Sequence, residues 1–88
     1  MKNIKIELVT DVNSTYCYLE VFYKKNLNPF LEVGITDDRQ LYFKFYADAA
    51  DVSLNVEDWD YIKSESNDFF PKELKNADDF LTYFGEKI

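Results

Sequence analysis

The chain has 88 residues, of which 47% are hydrophobic and 18% aromatic, and its formal net charge is −7. That length suits one domain whose small core is built from large side chains. There is no histidine and only one cysteine, Cys17. The composition therefore excludes a Ser–His or Cys–His nucleophile pair, a disulfide within the chain and a multi-cysteine metal cluster. We expect a single domain over 1–88, with the sheet in 1–47 and mostly helix in 52–88.

The first half of the chain alternates apolar and polar residues, which is typical of β-strands with one buried face. Strands are predicted to begin at Ile4, Thr15, Phe30 and Leu41, with short turn-forming segments between them. Connections this short favour an antiparallel meander. The side chains predicted to face the helices are Ile4, Ile6, Leu8, Leu31, Val33, Ile35, Leu41, Phe43 and Phe45. Either face of the second strand is apolar enough to point inward, and a fifth strand over 52–54 stays open.

After Tyr46 the hydrophobic period becomes helical. Asn55 is predicted as an N-cap, with Leu54 and Trp59 placed to form a hydrophobic staple. The apolar arc predicted to pack on the sheet contains Trp59, Ile62, Ser66, Phe69 and Phe70. Pro71 is predicted to end this helix or to begin a short turn. Asn76 is predicted to cap a second helix with Phe80, Leu81, Phe84 and Ile88 inward and Gly85 as its stop. The expected fold is α+β, an antiparallel four- to five-stranded meander sheet followed by two C-terminal helices packed on one face.

Acidic residues concentrate in the helical half. Residues 1–47 hold six acids and six bases, whereas residues 48–88 hold eleven acids and four bases, so the whole charge of −7 lies in the second part. A field of one sign repels nucleic acid and anionic membranes and attracts basic partners. Helix capping and solvation of exposed faces are the alternative explanation for these charges.

One face of the predicted first helix, opposite Trp59, combines carboxylates with a tyrosine, a composition found in interface hot spots. The second predicted helix begins with two more acids. The predicted partner-binding residues are Glu57, Asp60, Tyr61, Asp68, Asp78 and Asp79. The sheet face turned away from the helices is the other candidate surface, because it is unusually aromatic. A homodimer through Tyr16, Tyr18, Phe22, Tyr42 and Tyr46 is one interpretation, and cross-strand stabilisation by aromatic pairs is the other.

These observations predict a non-catalytic acidic module that binds and neutralises a basic protein. In general character the chain resembles the small acidic α+β proteins that bacteria and phages use as immunity proteins, antitoxins or inhibitors. The alternative is a self-associating structural or accessory domain using the aromatic sheet face. No catalytic residue, cofactor or metal ligand is predicted, and neither nucleic acid nor membrane is expected as a partner. With no signal peptide or membrane-spanning run in the sequence, we expect a cytoplasmic protein.

Overall fold

Four antiparallel strands, each beside its neighbour in sequence, form the sheet of this protein. The structure is a computed structural model that describes residues 3–49 and 51–80. The strands are β1 (Ile4–Val9), β2 (Tyr18–Tyr23), β3 (Leu31–Ile35) and β4 (Leu41–Phe45), in the spatial order β1-β2-β3-β4. The four-stranded meander and the α+β class are therefore confirmed. Residues 52–54 do not form a fifth strand.

The pairing register decides which face of each strand meets the helix. Ile6 lies opposite Val21, Val21 opposite Leu31, and Leu31 opposite Phe45. Directly opposed residues of an antiparallel pair lie on the same face, and side chains alternate along each strand. The open question in β2 is thereby answered, because its odd-numbered residues face the helix. Tyr18, Glu20 and Phe22 lie on the outer face, which is defined here as the face turned away from the helix.

One helix, α1 (Val56–Phe80), follows the sheet. Asn55 caps it as predicted, and the cap is reciprocal. The Asp58 N–H donates to Asn55 Oδ1 at 2.8 Å, and the Asn55 N–H donates to Asp58 Oδ2 at 3.2 Å. This is the geometry of a capping box, which satisfies two backbone donors that the first helical turn leaves without partners.

The predicted helix end at Pro71 is wrong, and so is the predicted second helix. Pro71 lies inside α1, where it has no N–H to donate to the carbonyl of Asn67. The helix continues because residues on both sides of Pro71 remain packed, including half-buried Phe69 and buried Glu73. Asn76 is therefore not a cap. Phe80 was predicted to face inward but is 62% exposed. The predicted inward positions Leu81, Phe84 and Ile88, and the predicted stop at Gly85, lie outside the described residues.

The core lies between α1 and the middle of the sheet. Val21, Leu31, Val33 and Ile62 are fully buried, and Ile62 is the helix residue at the centre of this cluster. A helix is only about 10 Å wide, whereas strands lie about 4.8 Å apart, so one helix does not cover four strands. Ile4 of β1 is buried as predicted, but other helix-facing side chains of the two edge strands are more exposed than predicted. Leu8 is 61% exposed in β1, and Phe45 is 60% exposed in β4.

Candidate functional site

Because α1 is continuous, it aligns the acidic residues that the sequence assigned to two helices. At 100° per residue, the six predicted partner-binding positions fall within an arc of about 100°. The five carboxylates among them form what we call the acidic stripe: Glu57, Asp60, Asp68, Asp78 and Asp79, all exposed. The stripe is about 33 Å long, given a rise of about 1.5 Å per residue.

Three carboxylates of the acidic stripe already have a basic partner. Asp60 lies 3.6 Å from Lys63, and Asp79 lies 2.7 Å from Lys75. Asp78 accepts two hydrogen bonds from the Arg39 guanidinium, at 2.9 and 3.1 Å, and these bonds lower the pKa of Asp78. Since all these groups are exposed, the pairs stabilise the fold only weakly.

Glu57 and Asp68 differ from the rest of the acidic stripe. Neither is in an ion pair with any residue that the structure describes. Their charges are therefore the least neutralised in the stripe.

The structure corrects the expected exposure of Tyr61. This side chain does not stand in water opposite Trp59 but is half-buried and packs against the hydrophobic core. Loss of hydration and the nearby Glu65 carboxylate both raise the pKa of Tyr61. Tyr61 therefore lies on the side of the helix that faces β1, and a partner can contact only the part of its side chain that remains exposed.

A groove of about 370 Å³, here called the α1–β1 groove, opens between the helix and the first strand. Its apolar lining comes from Ile6 and Leu8 of β1, Leu19 of β2, and Tyr61 and Phe69 of α1. The carboxylates that line it are Glu65, Asp68 and Glu73, and the single basic residue that lines it is Lys72. A groove lined by apolar side chains and by three carboxylates against one lysine suits a segment that carries both apolar and basic side chains.

Glu73 is a buried carboxylate that the sequence analysis missed. It is 9% exposed, and its Oε2 accepts a hydrogen bond of 2.8 Å from the Cys17 N–H. This bond fixes the segment before β2 to the helix. Glu73 also lines a second cavity, of about 530 Å³, that adjoins the α1–β1 groove. Its position was visible in the sequence, because Ile62, Ser66, Phe69 and Glu73 are separated by four, three and four residues, the spacing of one helix face.

We predict that replacing Cys17 by alanine leaves partner binding intact. Cys17 is half-buried, and the atom that contacts Glu73 is its backbone nitrogen, which alanine retains. The cost is expected to be on the order of 1 kcal/mol in the free energy of unfolding. Chemical denaturation measures this cost, and Glu73→Gln, which weakens the same hydrogen bond, serves as the comparison. A folded Cys17→Ala protein that no longer binds its partner would contradict the prediction.

On the outer face of the sheet, three of the aromatic residues predicted for a homodimer contact neighbouring side chains. Tyr42 and Tyr46 both donate their hydroxyl hydrogens to Glu32, at 2.5 and 2.6 Å. The ammonium of Lys5 lies 4.7 Å from the ring centroid of Phe22, a cation–π arrangement. Phe22 is only 6% exposed. These contacts favour the interpretation that the outer-face aromatics stabilise the sheet, and they leave less free apolar surface for a homodimer.

The same contacts predict a loss of stability at high pH. Burial and the adjacent Glu32 carboxylate raise the pKa of Tyr42 to about 12 and raise that of Tyr46 as well. Burial opposes ionisation of Glu32, but the two hydroxyls and Lys44 lower its pKa. In the unfolded chain the two tyrosines have a pKa of about 10. Their contribution to the free energy of unfolding is therefore complete below about pH 10, and it is lost as the pH rises from there towards their pKa values in the folded protein.

Urea unfolding at about pH 9 and about pH 11 measures this loss, and the Tyr42→Phe/Tyr46→Phe protein is the control. The control should show a shallower fall in stability between the two pH values, because it lacks both phenols. Equal slopes for the two proteins would show that Tyr42 and Tyr46 do not carry the effect.

Comparison with known proteins assigns neither a family nor a function to this chain. No family model, no curated protein and no solved structure matches this chain. Over residues 3–49 and 51–80, no group of three or more Cys, Asp or Glu side chains is arranged to hold a metal ion. Within the same residues, α1 is not apolar enough to cross a membrane. The candidate site therefore stands on its geometry, which is an acidic stripe beside the α1–β1 groove.

Proposed function

We propose that this protein is a non-catalytic acidic module that binds and neutralises a basic protein, in the manner of an immunity protein, antitoxin or inhibitor. The observation that carries the proposal is the convergence of the acidic stripe and the α1–β1 groove at Asp68. Charge along the helix provides attraction at a distance, and the apolar side chains that line the groove provide area to bury on contact. Both elements are common in interfaces between oppositely charged proteins.

Electrostatic steering follows from how the charge is distributed. The stripe covers about 33 Å of one helix face, and Glu57 and Asp68 have no described ion-pair partner to neutralise them. A surface of this kind raises the association rate with a basic protein, because the approaching partner is oriented before contact. Apolar contacts in the α1–β1 groove would mainly lower the dissociation rate.

The test is a triple charge reversal, Glu57→Lys, Asp60→Lys and Asp68→Lys. The partner is first recovered by affinity purification from the organism that encodes the protein, and association rates are then measured by surface plasmon resonance. We expect the association rate of the triple variant to be lower than that of the unaltered protein by about tenfold or more at low ionic strength. At high salt the two rates should differ much less, because salt screens exposed charges. The fold should be retained, since exposed substitutions usually change stability by about 0.5 kcal/mol or less each.

A second triple variant with the same change in net charge is the control. Asp37, Asp48 and Asp51 are exposed and lie in segments outside α1. Reversing these three to lysine should slow association much less than reversing the helix residues. If both variants lose the same fraction of the rate, net charge alone drives association and the acidic stripe is not the binding face.

A further inference from the structure

We infer that the α1–β1 groove takes an extended segment of the basic partner, which pairs antiparallel with the outer edge of β1. This inference rests on the proposed function and specifies how the partner is held. Its first support is the direction in which the backbone N–H and C=O groups of β1 point. The Lys24 N–H donates to the Asn3 carbonyl at 2.6 Å, so these two residues form a hydrogen-bonded pair of the ladder.

Hydrogen-bonded and non-bonded pairs alternate along an antiparallel ladder. Given the register, Lys5, Glu7 and Val9 are bonded to β2, and the backbone groups of Ile4, Ile6 and Leu8 point to the outer edge. Among residues 3–49 and 51–80, no backbone or side-chain group is hydrogen-bonded to that edge. An edge of this kind accepts an added strand through main-chain hydrogen bonds.

The side chains of the same residues complete the site. Ile6 and Leu8 offer backbone groups to the edge while their side chains line the α1–β1 groove. A strand added antiparallel to β1 would place alternate side chains on the groove side, because directly opposed residues share a face. Leu8, 61% exposed, would be covered by such a strand.

Charge specifies the chemistry of the added strand. Asp68 and Glu65 lie at the groove with Lys72 as the one basic residue of the lining. Lysine or arginine side chains on the groove side of the incoming segment complement Glu65 and Asp68, and apolar side chains on the same side pack against Ile6 and Leu8. The occupant is therefore an extended segment of about five or six residues, matching β1, in which every second residue faces the groove and these groove-side residues are both apolar and basic.

The experiment uses synthetic peptides of about eight residues, long enough to pair along β1. Every second position carries leucine or lysine to face the groove, and the positions between them carry threonine. Binding to the full-length protein is followed by nuclear magnetic resonance of the backbone amides. We expect saturable shifts at the amides of Ile6 and Leu8. Two isomeric peptides carry the test, one N-methylated at its leucine and lysine residues and the other at its threonine residues, with the same mass and charge.

The two isomers should bind differently. In antiparallel pairing the leucine and lysine residues that face the groove also donate their N–H groups to β1, whereas the threonine N–H groups point away. Methylating the leucine and lysine nitrogens should weaken binding about tenfold or more, since several hydrogen bonds to β1 are lost. Methylating the threonine nitrogens should leave the affinity within about twofold, because those groups make no bond to β1. Equal affinities for the two isomers would overturn the inference.

A matched pair of protein variants tests the groove separately. Leu8→Gln removes apolar lining, and Leu27→Gln makes the same change at a residue that is 93% exposed and lies away from the groove. Only the Leu8 variant should bind the peptide more weakly. If the purified partner depends on Glu57, Asp60 and Asp68 but binds the Leu8 variant normally, the proposed function stands and strand addition is wrong. If peptide binding behaves as described while charge reversal has no effect on the partner, strand addition stands and the acidic stripe is not used.

Discussion

Replacing Trp59 by alanine is expected to lower the free energy of unfolding by about 3–5 kcal/mol. Trp59 lies in the first turn of α1, where its ring packs against that of Phe43 with centroids 6.2 Å apart and planes tilted by 49°. It also packs against the core cluster, as does Leu54 before the cap. Without the indole, the start of α1 loses its main attachment to β4. Since small domains are stable by only about 5–15 kcal/mol, the loss would be a large part of the total.

Urea denaturation followed by circular dichroism measures the change, because the variant lacks the tryptophan signal. Val56→Ala is the matched control, since Val56 is in the same turn and 76% exposed. It should cost less than about 0.5 kcal/mol. A loss below about 1 kcal/mol for Trp59→Ala would mean that Trp59 does not anchor the helix.

Replacing Gly34 by alanine is expected to cost about 1–3 kcal/mol, which is unusual for a glycine in a strand. The Tyr42 ring lies directly over Gly34, and a Cβ at that position would come within 2.6 Å of Tyr42 Cε2. The ring would have to move, and it would then lose its hydrogen bond to Glu32. Without this overlap, alanine would stabilise the strand relative to glycine by about 0.5–1 kcal/mol.

A double-mutant cycle separates these two effects. The atoms nearest to the added Cβ all belong to Tyr42. In a Tyr42→Ala background, therefore, Gly34→Ala should be neutral or stabilising when measured by urea denaturation. If Gly34→Ala costs the same in both backgrounds, the overlap with Tyr42 is not the cause.

The sheet was predictable because its signals are local. Alternation in β1, β3 and β4, together with turn-forming residues between them, was sufficient to predict four strands and an antiparallel meander. The facing of β2 was not predictable, because both of its sides are apolar and only pairing with β1 and β3 distinguishes them. Asn55 was a reliable signal, since a cap depends on residues within one turn.

The helix end was predicted wrongly because tertiary packing overrides a local penalty. A proline removes one hydrogen bond from a helix, but burial of Phe69, Glu73 and their neighbours supports the turns on either side of Pro71. The candidate site was predicted in part. The carboxylates of the acidic stripe are exposed as expected, whereas Tyr61 is not. The α1–β1 groove escaped prediction because it depends on how far one helix extends over a sheet, a relation between elements that no single segment encodes.

The order of the strands in the sheet also bears on how the chain folds. Every strand pair joins neighbours in sequence, so the sheet forms by closing short loops, which costs little chain entropy. Contacts between α1 and β1 join residues more than fifty positions apart, as the bond from Cys17 to Glu73 does. We therefore expect docking of the helix to carry the entropic cost of the long loops. In a chain whose sheet has formed before the helix docks, the apolar face of the sheet would be in water, and the negative charges of residues 48–88 would help to keep such chains apart.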